Sequence, residues 1–292
     1  PEDDAHSVGS GSVASRGLRG TRYGTKDADD NSSAGDGGSV GSVGSGLSIV
    51  RRKFRKPVSQ DLLVLTEGRV DGLINKAAGL FSKGKYGDAD GILNAALVPS
   101  LPVLGDESQR LYKGTMLHCE GKIMLAQYEL SNEMLVDVLQ RWTDLKGPDH
   151  IEVAHAAALL AYLYYIQGMY DAAHTLYVQV MEVVGTTLSL DPLASKRTGA
   201  ENNVLYCKVL LGLVKCNLKM ANVKDALVAL TQARDLLVNT IVSESPLHLE
   251  LRLSYARLRV FGGEYKKANK MYRDCLDIAV GRYGKSHATV AY

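Results

Sequence analysis

The sequence is poor in the residues that build disulfide frameworks and metal sites. Its 292 residues include four cysteines and seven histidines. No cysteines stand in a C-x-x-C pair and no H-E-x-x-H motif occurs, which argues against a disulfide scaffold and against a zinc site. His150 and His155 lie five positions apart without a third ligand in the pattern, so we interpret them as structural. We predict reduced thiols, no bound metal and no other cofactor.

Motifs that carry catalytic chemistry are also missing. There is no G-x-x-x-x-G-K-[ST] phosphate loop, and no serine or cysteine stands in a nucleophile-elbow or cysteine–histidine signature. The N-terminal glycines lack the strand-to-helix context in which a backbone turn binds phosphate. These absences predict a protein that is not an enzyme.

Long apolar runs are absent as well. The longest, from about Ala156 to Ile166, is too short to cross a bilayer, and no signal peptide is recognisable. The sequence therefore predicts a soluble chain without a membrane span. Because it begins without Met and ends where a helical pattern restarts, we expect it to be part of a longer protein.

Residues 1–57 differ in composition from the remainder. Up to about Gly46 they are rich in Gly, Ser and Asp and cannot bury enough apolar surface to offset the entropy of ordering. A basic run follows, made of Arg51, Arg52, Lys53, Arg55 and Lys56. We predict a disordered tail over residues 1–57, in which the run is a solvated linker. Binding of nucleic acid by the run is less favoured, because it lacks the interleaved aromatic side chains of single-strand binders.

A repeated phrase organises residues 58–292. It consists of a turn, an aromatic or apolar residue and, three positions later, Ala or Ser. The first of these positions holds Tyr86, Tyr128, Tyr170, Val223 and Tyr265, and the second holds Ala89, Ser131, Ala173, Ala226 and Ala268. The copies are 42 residues apart, except for one step of 53 between Tyr170 and Val223. Five copies in one register predict a repeat architecture.

Each copy carries the flanks of a helical hairpin. Twelve positions before the Ala or Ser stands another mostly small residue: Ala77, Cys119, Ala161, Val214 and Ala256. Such residues allow two helices to approach closely. We predict an all-α fold, a right-handed superhelix of five hairpins, with a helix or helix pair before them from about Gln60. A sixth copy starts at the C-terminal end, from Gly284.

Two stretches depart from the simple repeat pattern. The extra residues of the long step fall between Gly185 and Asn203, and we expect them to enlarge a loop, because loops absorb insertions. Four leucines alternate with polar residues from Leu247 to Leu253 as they would in a strand. The register of the repeat nevertheless predicts a helix there.

At these residues the chain resembles the tetratricopeptide family, whose second helix carries an A-x-x-x-F pattern. The 42-residue period is similar to the repeats of kinesin light chain, and the best match runs from Gly147 to Tyr170. The resemblance implies a solenoid that binds partner proteins or peptides, located in the cytoplasm and associated with the cytoskeleton. The family's paired Asn positions hold Ala158-Leu159 and Leu253-Ser254 here, a departure that affects its mode of peptide clamping.

One helix face is a candidate binding surface. Lys208, Lys215 and Lys219 lie at i, i+7 and i+11 on the first helix of the fourth copy. Arg257 is the equivalent of Lys215 in the fifth copy. In the family that the chain resembles, this face lines a concave groove, so the four cations would suit an acidic peptide. The alternative interpretation of such a stripe is a solvated outer face.

We therefore predict a scaffold or adaptor that binds partners on the solenoid surface. The alternative is a regulatory or sensor arm of a larger enzyme whose catalytic domain lies outside this sequence. A nucleotide-binding or kinase domain in the full-length protein would favour that alternative.

The tail has few large apolar side chains, so we expect it to contribute none to the repeat core and its deletion to leave folding unaffected. We expect a variant lacking residues 1–45 to keep the melting temperature and the helical circular dichroism of the full chain. A large loss of stability on truncation would contradict the assignment of the tail.

Overall fold

The computed structural model describes residues 59–190, 196–240, 245–285, 287 and 290. This part of the chain is built of ten α-helices and contains no β-strand. The helices are α1 Gln60–Phe81, α2 Tyr86–Leu104, α3 Gln109–Met124, α4 Tyr128–Lys146, α5 Ile151–Ile166, α6 Tyr170–Leu190, α7 Lys196–Lys219, α8 Val223–Thr240, α9 Pro246–Phe261 and α10 Tyr265–Tyr283. The predicted disordered tail and its basic run lie outside the described residues.

Successive helices pair into five hairpins, α1–α2, α3–α4, α5–α6, α7–α8 and α9–α10. The second helix of each hairpin packs against the first helix of the next, and neighbouring first helices also touch one another. Among the described residues no second helix contacts another second helix. First helices are thus crowded together and second helices are spread apart, so the array bends with its first helices on the concave side. The predicted all-α hairpin solenoid is confirmed.

The two helices of every hairpin each carry a buried, mostly small residue at an equivalent position. The pairs are Ala77 with Ala89, Cys119 with Ser131, Ala161 with Ala173, Val214 with Ala226 and Ala256 with Ala268, each residue at most 1% exposed. In the second hairpin the serine replaces an alanine, and its hydroxyl donates a hydrogen bond to the Cys119 carbonyl at 3.0 Å. The buried polar group is thereby satisfied, which explains how this irregular copy keeps the common geometry.

A left-handed residue closes the turn inside each hairpin. It is Gly84, Ala126, Gly168, Ala221 and Gly263 in the five copies, with φ between 58° and 83°. The amide that follows it donates to the carbonyl five residues back, at 2.7–3.0 Å, in every copy. This pattern ends a helix in a Schellman motif and lets the second helix begin two residues later, at Tyr86, Tyr128, Tyr170, Val223 or Tyr265.

The prediction of an enlarged loop between Gly185 and Asn203 is wrong. The inserted residues mainly lengthen helices: α6 has 21 residues against 19 in α4, and α7 has 24 against 16 in α5. The first turns of α7 include Ala200 and Glu201, which are good helix formers. The segment between the two helices, 191–195, lies outside the described residues.

The helix expected before the hairpins is not a separate element in the described chain. It forms the start of α1, which begins at Gln60, has 22 residues and is the first helix of the first hairpin. The Ser59 hydroxyl caps it by accepting from the Leu62 amide.

The predicted helix through Leu247 and Leu253 is confirmed as α9. The leucines can alternate there because α9 packs against α7, α8 and α10, so burial is not limited to one stripe.

The last described residues contact both ends of the array. Val290 packs on the cluster of Leu249, Cys275 and Ala279. The His287 ring stacks on Tyr283 with centroids 4.9 Å apart. A Cβ added to Gly84 would lie 3.2 Å from the same His287 ring, so this histidine reaches the turn of the first hairpin. A complete sixth copy stays a prediction.

We predict that Ala126→Gly and Ala221→Gly each stabilise the protein. A non-glycine residue in the left-handed region costs about 1–2 kcal/mol, and the greater entropy of glycine in the unfolded chain offsets about 0.5–1 kcal/mol of the gain. A net gain of about 0.5–1 kcal/mol per site should appear as a higher denaturant midpoint. Gly168→Ala, at the equivalent turn, is the matched control and should lower the midpoint. Equal midpoints for all three variants would contradict the backbone strain assigned to Ala126 and Ala221.

Candidate partner-binding surface

The four cations predicted from the sequence lie on the first helices α7 and α9. Lys208 and Lys219 are exposed, whereas Lys215 and Arg257 are partly buried. First helices form the concave side of the array, so all four belong to the helices that line that side. The structure brings Lys215 and Arg257 together and leaves Lys208 and Lys219 on either side of them along α7.

Lys215 and Arg257 meet on one carboxylate, that of Glu250 in α9. The Lys215 ammonium lies 2.9 Å from Glu250 Oε1, and a guanidinium nitrogen of Arg257 lies 3.3 Å from the same oxygen. The side chains of Lys215, Glu250 and Arg257 are 18%, 29% and 40% exposed. Glu250 thus offsets one of the two positive charges, and the central part of the predicted basic lining keeps a net charge of +1 with both cations already paired.

Electrostatics holds Glu250 in its ionised form. Burial by itself raises the pKa of this carboxyl group, because the charged form loses water. The charges and hydrogen bonds of Lys215 and Arg257 outweigh burial, so the net pKa of Glu250 is lowered. Glu250 is thus a fixed anion that joins α7 to α9.

Three tyrosines lie beside these charges. The Lys215 ammonium is 5.7 Å from the centroid of the Tyr162 ring, and the Lys219 ammonium is 6.0 Å from that of Tyr170. The rings of Tyr165 and Tyr170 are 5.6 Å apart. We call this set the basic–aromatic surface; it comprises Tyr162, Tyr165, Tyr170, Lys208, Lys215, Lys219, Glu250 and Arg257.

Tyr165 connects the aromatic and the basic parts of the surface. Burial raises the pKa of its hydroxyl group, and the nearby charge of Arg257 acts in the opposite direction. Tyr165 is partly buried beside Arg257, so it offers an apolar ring and a polar hydroxyl group at the same place. A partner could pack on the ring while contacting the charges around it.

Lys208 lies near His155 of α5. Burial lowers the pKa of the His155 imidazole, and the charge of Lys208 lowers it further, against opposing effects of Glu201 and Glu152. Within the described part of the chain, neither Lys208 nor Lys219 forms an ion pair. These two lysines are the cations of the basic–aromatic surface that have no carboxylate partner among the described residues.

Sequence reasoning missed Glu250 and Tyr162, although the register of the repeat contains both. Glu250 stands 42 residues after Lys208, and Tyr162 stands 53 residues before Lys215, so each occupies the place of a predicted cation in a neighbouring copy. Comparing equivalent positions across copies, rather than one helix face, would have found them.

A second polar cluster lies between α2 and α3. The Asp90 carboxylate accepts from Lys122 at 2.8 Å and contacts the His118 ring at 2.9 Å, and the side chains of Asp90, His118 and Lys122 are only 17%, 5% and 11% exposed. Burial lowers the pKa of His118, and Lys122 adds to this effect. Because the cluster is enclosed, it fastens the first hairpin to the second and offers no binding surface.

The histidine and cysteine residues considered in the sequence analysis contribute to helix capping and to the core. The His150 ring caps α5 by accepting from the Glu152 amide, and the four cysteines are buried and unpaired. In the described ranges no three His, Cys, Asp or Glu side chains are grouped to hold a metal ion. None of the described helices is both long and apolar enough to span a bilayer.

Comparison with known proteins supports the helical repeat. A family model described as tetratricopeptide repeat matches residues 115–184, and no curated protein matches the chain. Two crystal structures of a kinesin-light-chain-like protein from Podosopora anserina, with nearly identical TPR-like repeats, cover 74% of this chain at 17% identity. They are matched over 96% and 97% of their own length, with TM-scores of 0.51 and 0.50. At this identity the likeness shows the fold.

Glu250 should make stability depend on pH in a defined direction. Its lowered pKa means that its ion pairs stabilise the fold above the ordinary carboxyl pKa and are lost as pH falls through the lowered value. We expect the stability difference between the wild type and Glu250→Gln to be greatest near neutral pH and to shrink below about pH 5.

A double variant tests the cause of that dependence. In the double variant that carries both Lys215→Met and Arg257→Met, burial is the remaining effect on Glu250 and raises its pKa, so the contribution of Glu250 to stability should decrease as pH rises through the carboxyl range. Urea unfolding of the three proteins from pH 3 to 7 measures both effects. The same pH dependence in the wild type and the double variant would contradict the assigned ion pairs.

Proposed function

Because this chain is a tetratricopeptide repeat protein, we propose that it is a scaffold or adaptor that binds a protein partner on the basic–aromatic surface. The observation that supports this most strongly is the pair of exposed lysines, Lys208 and Lys219, on the first helix α7, with the Lys219 ammonium 6.0 Å from the partly buried ring of Tyr170. A helical repeat array offers an extended surface of this kind for a partner to lie along.

The composition of the surface favours a protein segment as the ligand. Tyrosine and arginine are enriched where proteins bind one another, because they combine apolar contact area with polar ends. Tyr165 and Tyr170 are partly buried and adjacent, so little further side-chain entropy is lost when a partner packs on them. We propose that an apolar part of the partner contacts these rings.

The charge of the surface favours an acidic partner. It contains four cations and one carboxylate, of which Lys208 and Lys219 have no ion pair in the described residues. Charge complementarity speeds encounter and excludes basic partners. We propose a cytoplasmic setting, with which four buried and unpaired cysteines agree.

Selection from a random library of short displayed peptides tests this function on the full chain. The wild type should enrich acidic peptides, and their binding should weaken as salt is raised. Lys208→Glu with Lys219→Glu should abolish the enrichment. The matched control is Lys266→Glu with Lys270→Glu, an equal charge change on exposed positions of the second helix α10, and it should bind like the wild type.

Two results would contradict the proposal. One is a wild type that enriches no acidic peptides. The other is enrichment of the same peptides by the Lys208→Glu, Lys219→Glu variant, since binding would then occur elsewhere. Unchanged circular dichroism melting of both double variants shows that the comparison concerns binding and not folding.

A further inference from the structure

We propose that Glu250 is an internal occupant of the basic–aromatic surface and that it selects partner segments with two acidic groups separated by an uncharged stretch. This inference rests on the proposed function and adds the spacing of the acidic groups. The Glu250 carboxylate pairs with Lys215 and Arg257, and this pairing determines where a partner's acidic groups can bind.

Glu250 already fills the position that a partner carboxylate would take between Lys215 and Arg257. Both cations lie within 3.3 Å of its Oε1 atom. An acidic side chain arriving there would face a fixed carboxylate, and displacing Glu250 would break two charge-assisted contacts at once. Because both cations are already engaged and the three groups keep a net charge of only +1, the centre attracts a partner's acidic group less than the two cations in the sequence would suggest.

The attractive positions lie on either side of this centre. Lys208 and Lys219 are exposed and not ion-paired among the described residues. They are eleven positions apart on α7, which places their Cα atoms about 16 Å apart along the helix axis and on the same face. A partner that satisfies both lysines must bring two acidic groups to points separated by about that distance.

An extended segment meets this requirement with a short separation. At about 3.3 Å per residue, 16 Å corresponds to four to six residues, and the length of the lysine side chains covers that range. Even separations also place both side chains on one face of an extended strand. A single carboxylate, or two adjacent ones, can satisfy only one of the two lysines.

The residues between the acidic groups lie over the Lys215–Glu250 pair. Tyr162 borders this pair, with its ring 5.7 Å from the Lys215 ammonium. An uncharged side chain can pack there without disturbing the ion pairs, whereas an acidic one would have to compete with Glu250 for the same two cations. The partner pattern is therefore acidic, then several uncharged residues, then acidic.

Synthetic peptides of otherwise uncharged sequence test the spacing on the full chain. One set carries two Asp residues at i and i+1, at i and i+4, or at i and i+8, and a further peptide adds a Glu midway between the two Asp residues of the i, i+4 member. Fluorescence anisotropy at low and moderate salt gives the Kd values. We expect the i, i+4 member to bind most tightly, because both of its Asp side chains lie on one face about as far apart as the two lysines, and we expect the central Glu to bring no gain in affinity.

Glu250→Gln tests the internal occupant. Without its charge, Lys215 and Arg257 become available, so the peptide with the central Glu should bind this variant more tightly than the peptide without it. The matched control is Glu264→Gln. Glu264 also joins two cations, Arg259 and Lys267, each at 2.6 Å, at the turn between α9 and α10. It should leave the order of the peptides unchanged.

The outcomes separate this inference from the proposed function. If no acidic peptide binds the wild type, the function itself fails. If all acidic peptides bind equally whatever their spacing, and Glu250→Gln changes nothing, the function stands and the inference is wrong. The spacing series uses the unaltered chain, so it decides the question even if Glu250→Gln is unstable.

Discussion

The close approach of two helices at a pair of small residues is the constraint on which the rest of the structure depends. Ala161 of α5 and Ala173 of α6 are fully buried, and the same two positions are buried in all five hairpins. A left-handed residue closes each turn and sets where the second helix begins. With these two features fixed, every copy presents the same faces to its neighbours, and the hairpins can stack in one register.

Stacking in that register determines where the charged side chains meet. First helices touch first helices, whereas the described second helices remain apart, so equivalent positions of α5, α7 and α9 become neighbours. Lys215 can reach Glu250 only because α7 and α9 are in contact, although the two residues are 35 positions apart in the sequence. The basic–aromatic surface is in this sense a product of the repeat geometry, and its chemistry differs from copy to copy while its backbone does not.

The fold could be predicted from the sequence largely because the same residue pattern occurs several times at a fixed spacing. The phrases around Tyr86, Tyr170 and Tyr265 fixed the hairpins, and their register correctly overruled the strand-like leucines of α9. The long α7 was missed, because an insertion in a repeat does not reveal whether it adds loop or helix turns. The lysine stripe was visible in the sequence, but its pairing with Glu250 was not, because it depends on a contact between helices of different hairpins.

Lysine-reactivity footprinting with a bound acidic peptide tests the central claim most directly, namely that partners bind on the concave first-helix surface. Acetylation of the full chain, followed by mass spectrometry with and without the peptide, reports the protection of each lysine. The account predicts protection of Lys208 and Lys219, with Lys266 and Lys270 of the second helix α10 unchanged. Protection confined to the lysines of α10, or the same reactivity at Lys208 and Lys219 in the complex as in the free chain, would contradict it.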